Sequence, residues 1–148
     1  MAIAIAFGYL LASLRNRYVE GQWMNNIKVL LVDDEYFNYE MLTLALGERF
    51  EVCYVGSGQE ALAKTVESQP DVLLLDVCMP GIDGYDTCRL IKNTPETKNI
   101  PVIMVTGLES QSEKDEAYRA GCDDYITKPF DMSELKEKIE HYSAQNKS

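Results

Sequence analysis

The chain has 148 residues, 46% of them apolar, a length that suits one domain with a sizeable core. Its formal charge of −10 leaves no basic stripe along which a nucleic-acid backbone could run, so direct nucleic-acid binding is excluded from the expectations. The four cysteines, Cys53, Cys78, Cys88 and Cys122, share no C-x-x-C spacing, and the single histidine, His141, stands near the end. No zinc site is expected, and the thiols read as reduced in a cytoplasmic protein.

Residues 1–24 differ in texture from the rest of the chain. Ile3 to Leu14 is mostly apolar and is followed by Arg15 and Arg17. The run is shorter than the roughly 20 apolar residues a membrane span requires. It also lacks the basic start and cleavage site of a secretory signal. Ile3, Phe7, Leu10, Leu11 and Leu14 recur at helical spacing. Three readings stay open: an upstream extension outside the working protein, a helix packed on its own domain or on a second copy, and a membrane-surface helix. The boundary is drawn between an N-terminal apolar extension, 1–24, and a domain at 25–148.

From Ile27 two textures alternate. Ile27 to Val32 is an apolar run, a strand that ends in Asp33-Asp34-Glu35. Phe37, Met41, Leu44 and Ala45 then come at i, i+4, i+7 and i+8, a helical stripe. Phe50 to Val55 reads as a second strand, polar enough for a sheet edge. After the Gly56-Ser57-Gly58 turn, Gln59 to Ser68 is a second helix with Ala61, Leu62 and Val66 inward. Val72 to Leu75 is a third strand ending at Asp76, and Met79 to Gly84 is loop chemistry. Tyr85 to Lys92 is a third helix. Pro101 to Val105 is a fourth strand ending at Thr106-Gly107. Ser112 to Ala120 is a fourth helix with few apolar residues, and Asp124 to Thr127 a short fifth strand before Lys128-Pro129. The last helix opens on Asp131, with Glu134 placed for a capping box and Phe130 and Leu135 for a hydrophobic staple. Leu135, Ile139 and Tyr142 form its apolar face.

Strands one, three and four are almost continuously apolar, as strands are when both faces of a parallel sheet are covered. The expected architecture is a three-layer α/β sandwich. In open parallel sheets ligands bind at the carboxyl ends of the strands. There strand one delivers Asp33 and Asp34, strand three Asp76, strand four Thr106 and strand five Lys128. Each alone reads as an ordinary cap or turn residue; their joint occurrence on four strand ends carries the signal. Three carboxylates in one place repel each other and raise each other's pKa, a conflict that a divalent cation removes. Magnesium takes one or two carboxylates, waters and a phosphate oxygen. One aspartate then remains as a nucleophile able to form an acyl phosphate, with a lysine and a hydroxyl for the phosphate oxygens.

These residues sit in motifs: V-D-D-E at 32–35, G-Q-E-A-L at 58–62, P-D-V-L-L-L-D at 70–76, M-P-G-I-D-G at 79–84, P-V-I-M-V-T-G at 101–107 and A-G-C-D-D-Y-I-T-K-P-F at 120–130. In this order they resemble the receiver domain of the two-component response regulators, over about four fifths of the chain. The resemblance implies a flavodoxin-like fold with a five-stranded parallel sheet in the order 2-1-3-4-5. It implies Mg2+ as cofactor and Asp76 as the phosphoacceptor, served by a histidine kinase or a histidine phosphotransfer protein. It implies that Asp34 binds the metal directly, that Asp33 holds it through water, and that the backbone carbonyl of Cys78 is a further ligand together with Asp76. Thr106 and Lys128 match the residues that contact the phosphoryl group. Thr106 and Tyr125 match the switch that rearranges the face of helix four, strand five and helix five toward a downstream protein target. Lys128-Pro129 matches a cis peptide. Cys78 and Leu108 flank the path of the attacking water, where such positions tune phosphoryl lifetime, and Gly107 leaves room for the phosphoryl group. The domain is expected to catalyse its own phosphorylation and dephosphorylation rather than turn over external substrates. A homodimer is kept among the expected partners.

Three rival readings compete with this one. A flavodoxin proper needs a Ser/Thr/Gly phosphate loop after strand one, where Asp33-Asp34-Glu35 would repel a phosphate unless a metal intervened. A hydrolase of the haloacid dehalogenase class needs a second acid two residues after the nucleophile, where this chain has Cys78. A receiver fold without phosphorylation usually lacks one of the key residues, and this chain keeps all five: Asp33, Asp34, Asp76, Thr106 and Lys128.

Overall fold

The computed structural model of the chain describes residues 18–19, 22–23, 26–107 and 110–146. The apolar stripe at 3–14, the start at Met24 and the position of Leu108 lie outside them. Tyr18–Val19 and Gln22–Trp23 pair as a two-stranded antiparallel ladder. The remaining elements alternate strand and helix: β1 Ile27–Val32, α1 Tyr36–Leu46, β2 Phe50–Val55, α2 Gly58–Ser68, β3 Val72–Asp76, α3 Gly84–Lys92, β4 Val102–Thr106, α4 Gln111–Arg119, β5 Asp124–Thr127 and α5 Met132–Asn146. The strands form one five-stranded sheet in the order β2-β1-β3-β4-β5, every pair parallel.

Side chains of successive strand residues point to opposite faces, and both faces are covered. Leu30, Val32, Leu73, Leu75, Val102 and Met104 pack with Ala61 of α2, Cys88 and Ile91 of α3 and Ala117 of α4. Val29, Leu31, Val72, Leu74, Ile103 and Val105 pack with Leu42 and Leu46 of α1 and Leu135 and Ile139 of α5. This double covering is why β1, β3 and β4 read as unbroken apolar runs. β2 stands at the sheet edge, as its polar content predicts, with Glu51 exposed. Full burial of side chains such as Leu135 and Ile139 stabilises by about 1.5–3 kcal/mol each.

Local chemistry starts the helices. Ser57 accepts from the Glu60 N–H at α2, Asp83 from the Asp86 N–H at α3, and Ser110 and Glu113 exchange bonds in a capping box at α4. At α5 Asp131 does cap, but through the Ser133 N–H and hydroxyl at 2.9 and 2.7 Å rather than through the expected exchange with Glu134.

On two helices the buried face is not the one the apolar stripe marks. The stripe Phe37, Met41, Leu44 and Ala45 faces outward, and α1 buries Leu42 and Leu46 instead. α1 is apolar on both sides, so periodicity alone could not choose between them. On α2, Val66 is exposed and Thr65 is buried, its hydroxyl donating to the Ala61 carbonyl at 2.6 Å. A threonine that satisfies its own hydroxyl within the helix can take a core position.

Candidate phosphoryl-transfer site

The strand order reverses between β1 and β3, so their carboxyl ends diverge into a crevice of the kind where ligands bind in such sheets. Asp76 ends β3 and Asp33 comes just after β1; both are buried, at 6% and 3% exposure, while Asp34 is exposed. One carboxylate oxygen from each of Asp33, Asp34 and Asp76 lies within 4.8 Å of the others.

Each buried acid is held by neighbours. Asp33 Oδ1 accepts from the Glu35 N–H at 2.8 Å, and Oδ2 from the Asn38 side-chain amide at 2.9 Å. Asp76 Oδ1 accepts from the Cys78 N–H at 3.2 Å. Asp76 Oδ2 lies 3.9 Å from Lys128 Nζ. Burial pushes the Asp76 carboxyl above its ordinary range; Lys128 pulls it down, Asp33 pushes it up, the Cys78 N–H pulls it down and Asp34 pushes it up. The balance remains upward, the signature of an acid placed where its charge is unwelcome until a cation joins it.

Lys128 is more than one third exposed, so its loose pair with Asp76 contributes little to stability. Its position is set by the backbone: the Lys128 N–H donates to the Thr106 carbonyl at 2.7 Å, and the Lys128-Pro129 bond is cis, as the resemblance implied. Thr106 ends β4 and is buried. A Cβ added at Gly107 would meet no described atom within 4 Å. Tyr125, on β5, is farther out: its half-buried ring stacks edge-on against Tyr118 of α4 at 5.9 Å, with Lys114 Nζ 5.2 Å from its centre. Cys78 is an exposed side chain at the rim.

The structure therefore brings Asp33, Asp34, Asp76 and Lys128 together, places Thr106 at the next strand end, and sets Tyr125 on the flank facing α4. Three supporting residues escape a reading of the sequence. Asn38 fixes Asp33, and only its position in the first turn after D-D-E hints at this. Gly84, read as loop chemistry, packs against the backbone of Asp76. Arg89 of α3 donates to Glu116 of α4 and, at 2.9 Å, to Asp86, tying together helices that sequence treats separately.

Hard oxygen donors at this spacing, two of them buried and mutually repelling, fit a hard divalent cation such as magnesium.

Comparison with known proteins agrees with this geometry. The family model described as response regulator receiver domain matches residues 29–140. The response regulator PleD of Caulobacter vibrioides is 39% identical over 105 residues, which are 70% of this chain and 23% of PleD. This chain thus spans under a quarter of that relative's length. Among solved structures, the signal receiver domain of a signal transduction histidine kinase from Syntrophus aciditrophicus superposes with a TM-score of 0.73 at 32% identity, covering 80% of this chain and 90% of that one. The receiver domain of sensor histidine kinase PA1611 from Pseudomonas aeruginosa, solved with magnesium coordinated in its active-site cleft, gives a TM-score of 0.72 at 28% identity, covering 80% and 98%.

Proposed function

This chain belongs to the response regulator receiver domain family, whose general role is to accept a phosphoryl group in two-component signalling, and from that premise we propose that Asp76 is the phosphoacceptor. The observation that supports it is a carboxylate buried at the end of the central strand, ringed by two acids within 4.8 Å and opposed by an ammonium at 3.9 Å. Of the three acids Asp76 alone faces both the acid pair and the lysine.

In the reaction an Asp76 carboxylate oxygen attacks the phosphorus of the donor. With a histidine kinase or a histidine phosphotransfer protein as donor, the O–P bond forms as the P–N bond breaks, and the electron pair leaves with the imidazole nitrogen. The product is an acyl phosphate. In the reverse direction of the switch, water attacks phosphorus, the O–P bond breaks and Asp76 is regained as a carboxylate. Lys128 Nζ meets the phosphoryl oxygens as a charge-assisted donor, and the Thr106 hydroxyl donates to another of them. Asp33, fixed by Glu35 and Asn38, keeps its carboxylate aimed at the site without reorganisation.

Receiver domains bind Mg2+ in this acidic cleft. Asp33, Asp34, Asp76 and the backbone carbonyl of Cys78 would hold it here, and it would supply neutralisation of the charge on the phosphoryl oxygens. Output then runs through Thr106 and Tyr125 to the face of α4, β5 and α5, where a downstream protein docks. α4 suits movement: Ala117 is its one buried residue.

The test is labelling by acetyl phosphate with magnesium, read as intact mass. The wild-type chain should gain one phosphoryl group, and Asp76→Asn should gain none while keeping its circular dichroism. Undiminished labelling of that variant overturns the assignment.

A further inference from the structure

The outward face of α1 carries Phe37 at 64%, Met41 at 48% and Leu44 at 80% exposure, opposite the buried Leu42 and Leu46. A helix apolar on both sides calls for a second cover. At Met41 the stripe runs into a mostly apolar groove of about 380 Å³ between α1 and α5, lined by Phe130 and Met132 and also by Asp33 and Lys128.

The chain's own N-terminal segment matches this surface in length, charge and attachment. Ile3, Phe7, Leu10, Leu11 and Leu14 supply an apolar stripe. Twelve residues in a helix would span about 18 Å, against about 16.5 Å for the 11 residues of α1. The only charged side chains among residues 1–17 are Arg15 and Arg17, in a chain of net charge −10. Glu35, Glu40 and Glu48 are exposed on and beside α1, whose last turn has no basic residue to complement its dipole. The Ile27 N–H donates to the Arg49 carbonyl at 3.0 Å, so the chain enters the sheet beside the turn that leaves α1. In the sequence, residues 15–26 link the segment to that point, and of these Tyr18–Val19 pairs with Gln22–Trp23 as a short antiparallel ladder. A tether of this length holds the segment at an effective concentration of order millimolar, above what a second copy or a free partner usually reaches.

We propose that residues 3–14 dock in cis along the Phe37, Met41 and Leu44 face of α1. The segment then acts as a built-in cover for that face.

Hydrogen exchange of the full chain, read by mass spectrometry without any phosphodonor, tests the docking. Amides of residues 3–14 should exchange about 10-fold or more slowly than an open chain, at dilute and concentrated protein alike. Leu44→Asp, at a site too exposed to disturb the core, should abolish that protection and leave β1 and β3 protected. Reciprocally, Leu10→Asp should increase hydroxyl-radical oxidation of Met41. An unprotected segment in the wild-type chain, or protection that survives Leu44→Asp, overturns the proposal. So does protection that appears only with dimer in sedimentation, which assigns the face to a second copy, or only with anionic vesicles, which assigns the segment to a membrane surface. The readout needs no phosphorylation, so its failure leaves the phosphoacceptor reading standing, and loss of labelling at Asp76 leaves the docking standing.

Discussion

Gly84 packs directly on the backbone of Asp76: a Cβ built at Gly84 would stand 2.4 Å from the Asp76 carbonyl oxygen and 2.7 Å from the Val77 Cα. The first turn of α3 thereby buttresses the end of β3, and the Gly84 N–H donates to the Val77 carbonyl at 3.1 Å. The obstructing atoms are backbone, so they cannot turn aside. Gly84→Ala should destabilise the fold by about 1–3 kcal/mol in chemical denaturation. It should also slow acetyl phosphate labelling, because the displaced strand end carries the proposed acceptor. A variant as stable and as fast as wild type would show that the loop after Asp76 yields freely.

The raised pKa of Asp76 has a consequence for stability. The folded chain keeps the Asp76 proton to higher pH than the unfolded chain does, so stability falls as pH rises from the ordinary carboxylate range through the raised value. The loss persists at neutral pH. Asp76→Asn removes the charge and keeps the shape. In divalent-free buffer at neutral pH the variant should melt roughly 2–5 °C above wild type, and the gap should close below about pH 4. Equal melting temperatures at neutral pH would remove repulsion and burial as the governing terms.

Asp34 is exposed, so Asp34→Ala should leave packing intact. Magnesium at ten times its dissociation constant stabilises the native state by about 1.4 kcal/mol, a rise of several degrees in melting temperature for a domain of this size. Asp34→Ala should blunt that rise at the same magnesium concentration and slow labelling in parallel. Equal magnesium shifts in the two proteins would exclude Asp34 from the site.

Any switch needs a contact that differs between its two states. On the function proposed above, that contact is the bond from the Thr106 hydroxyl to the phosphoryl group on Asp76. Thr106→Ala should still be labelled at Asp76, yet the Tyr125 and Tyr118 ring resonances should no longer shift together on phosphorylation. A coupling of roughly 1–3 kcal/mol to target binding should be lost. Coupled ring shifts in the variant would place the trigger elsewhere.

Much of the fold and site was legible because a covered parallel sheet imposes unbroken apolar runs, and each run announces its own end. The runs read from composition, Ile27 to Val32, Val72 to Leu75 and Pro101 to Val105, fall within one residue of the strands Ile27–Val32, Val72–Asp76 and Val102–Thr106, and with them came the strand-end residues Asp33, Asp34, Asp76 and Thr106. The resemblance then supplied the strand order and the roles, which spacing does not contain. What the sequence left undecided is of another kind. Phe37, Met41 and Leu44 on one side of α1 and Leu42 and Leu46 on the other satisfy the same helical period, and only the sheet surface against which α1 lies chose between them. Val66 and Thr65 are a further case, because hydrophobicity favours the residue that packing leaves outside. The support of Asp33 by Asn38, of Asp76 by Gly84 and of α4 by Arg89 depends on elements that meet only once the sheet is assembled. Periodicity and composition are properties of one segment, whereas a buried face and a held carboxylate are properties of two segments in contact, and that contact is what tertiary structure decides.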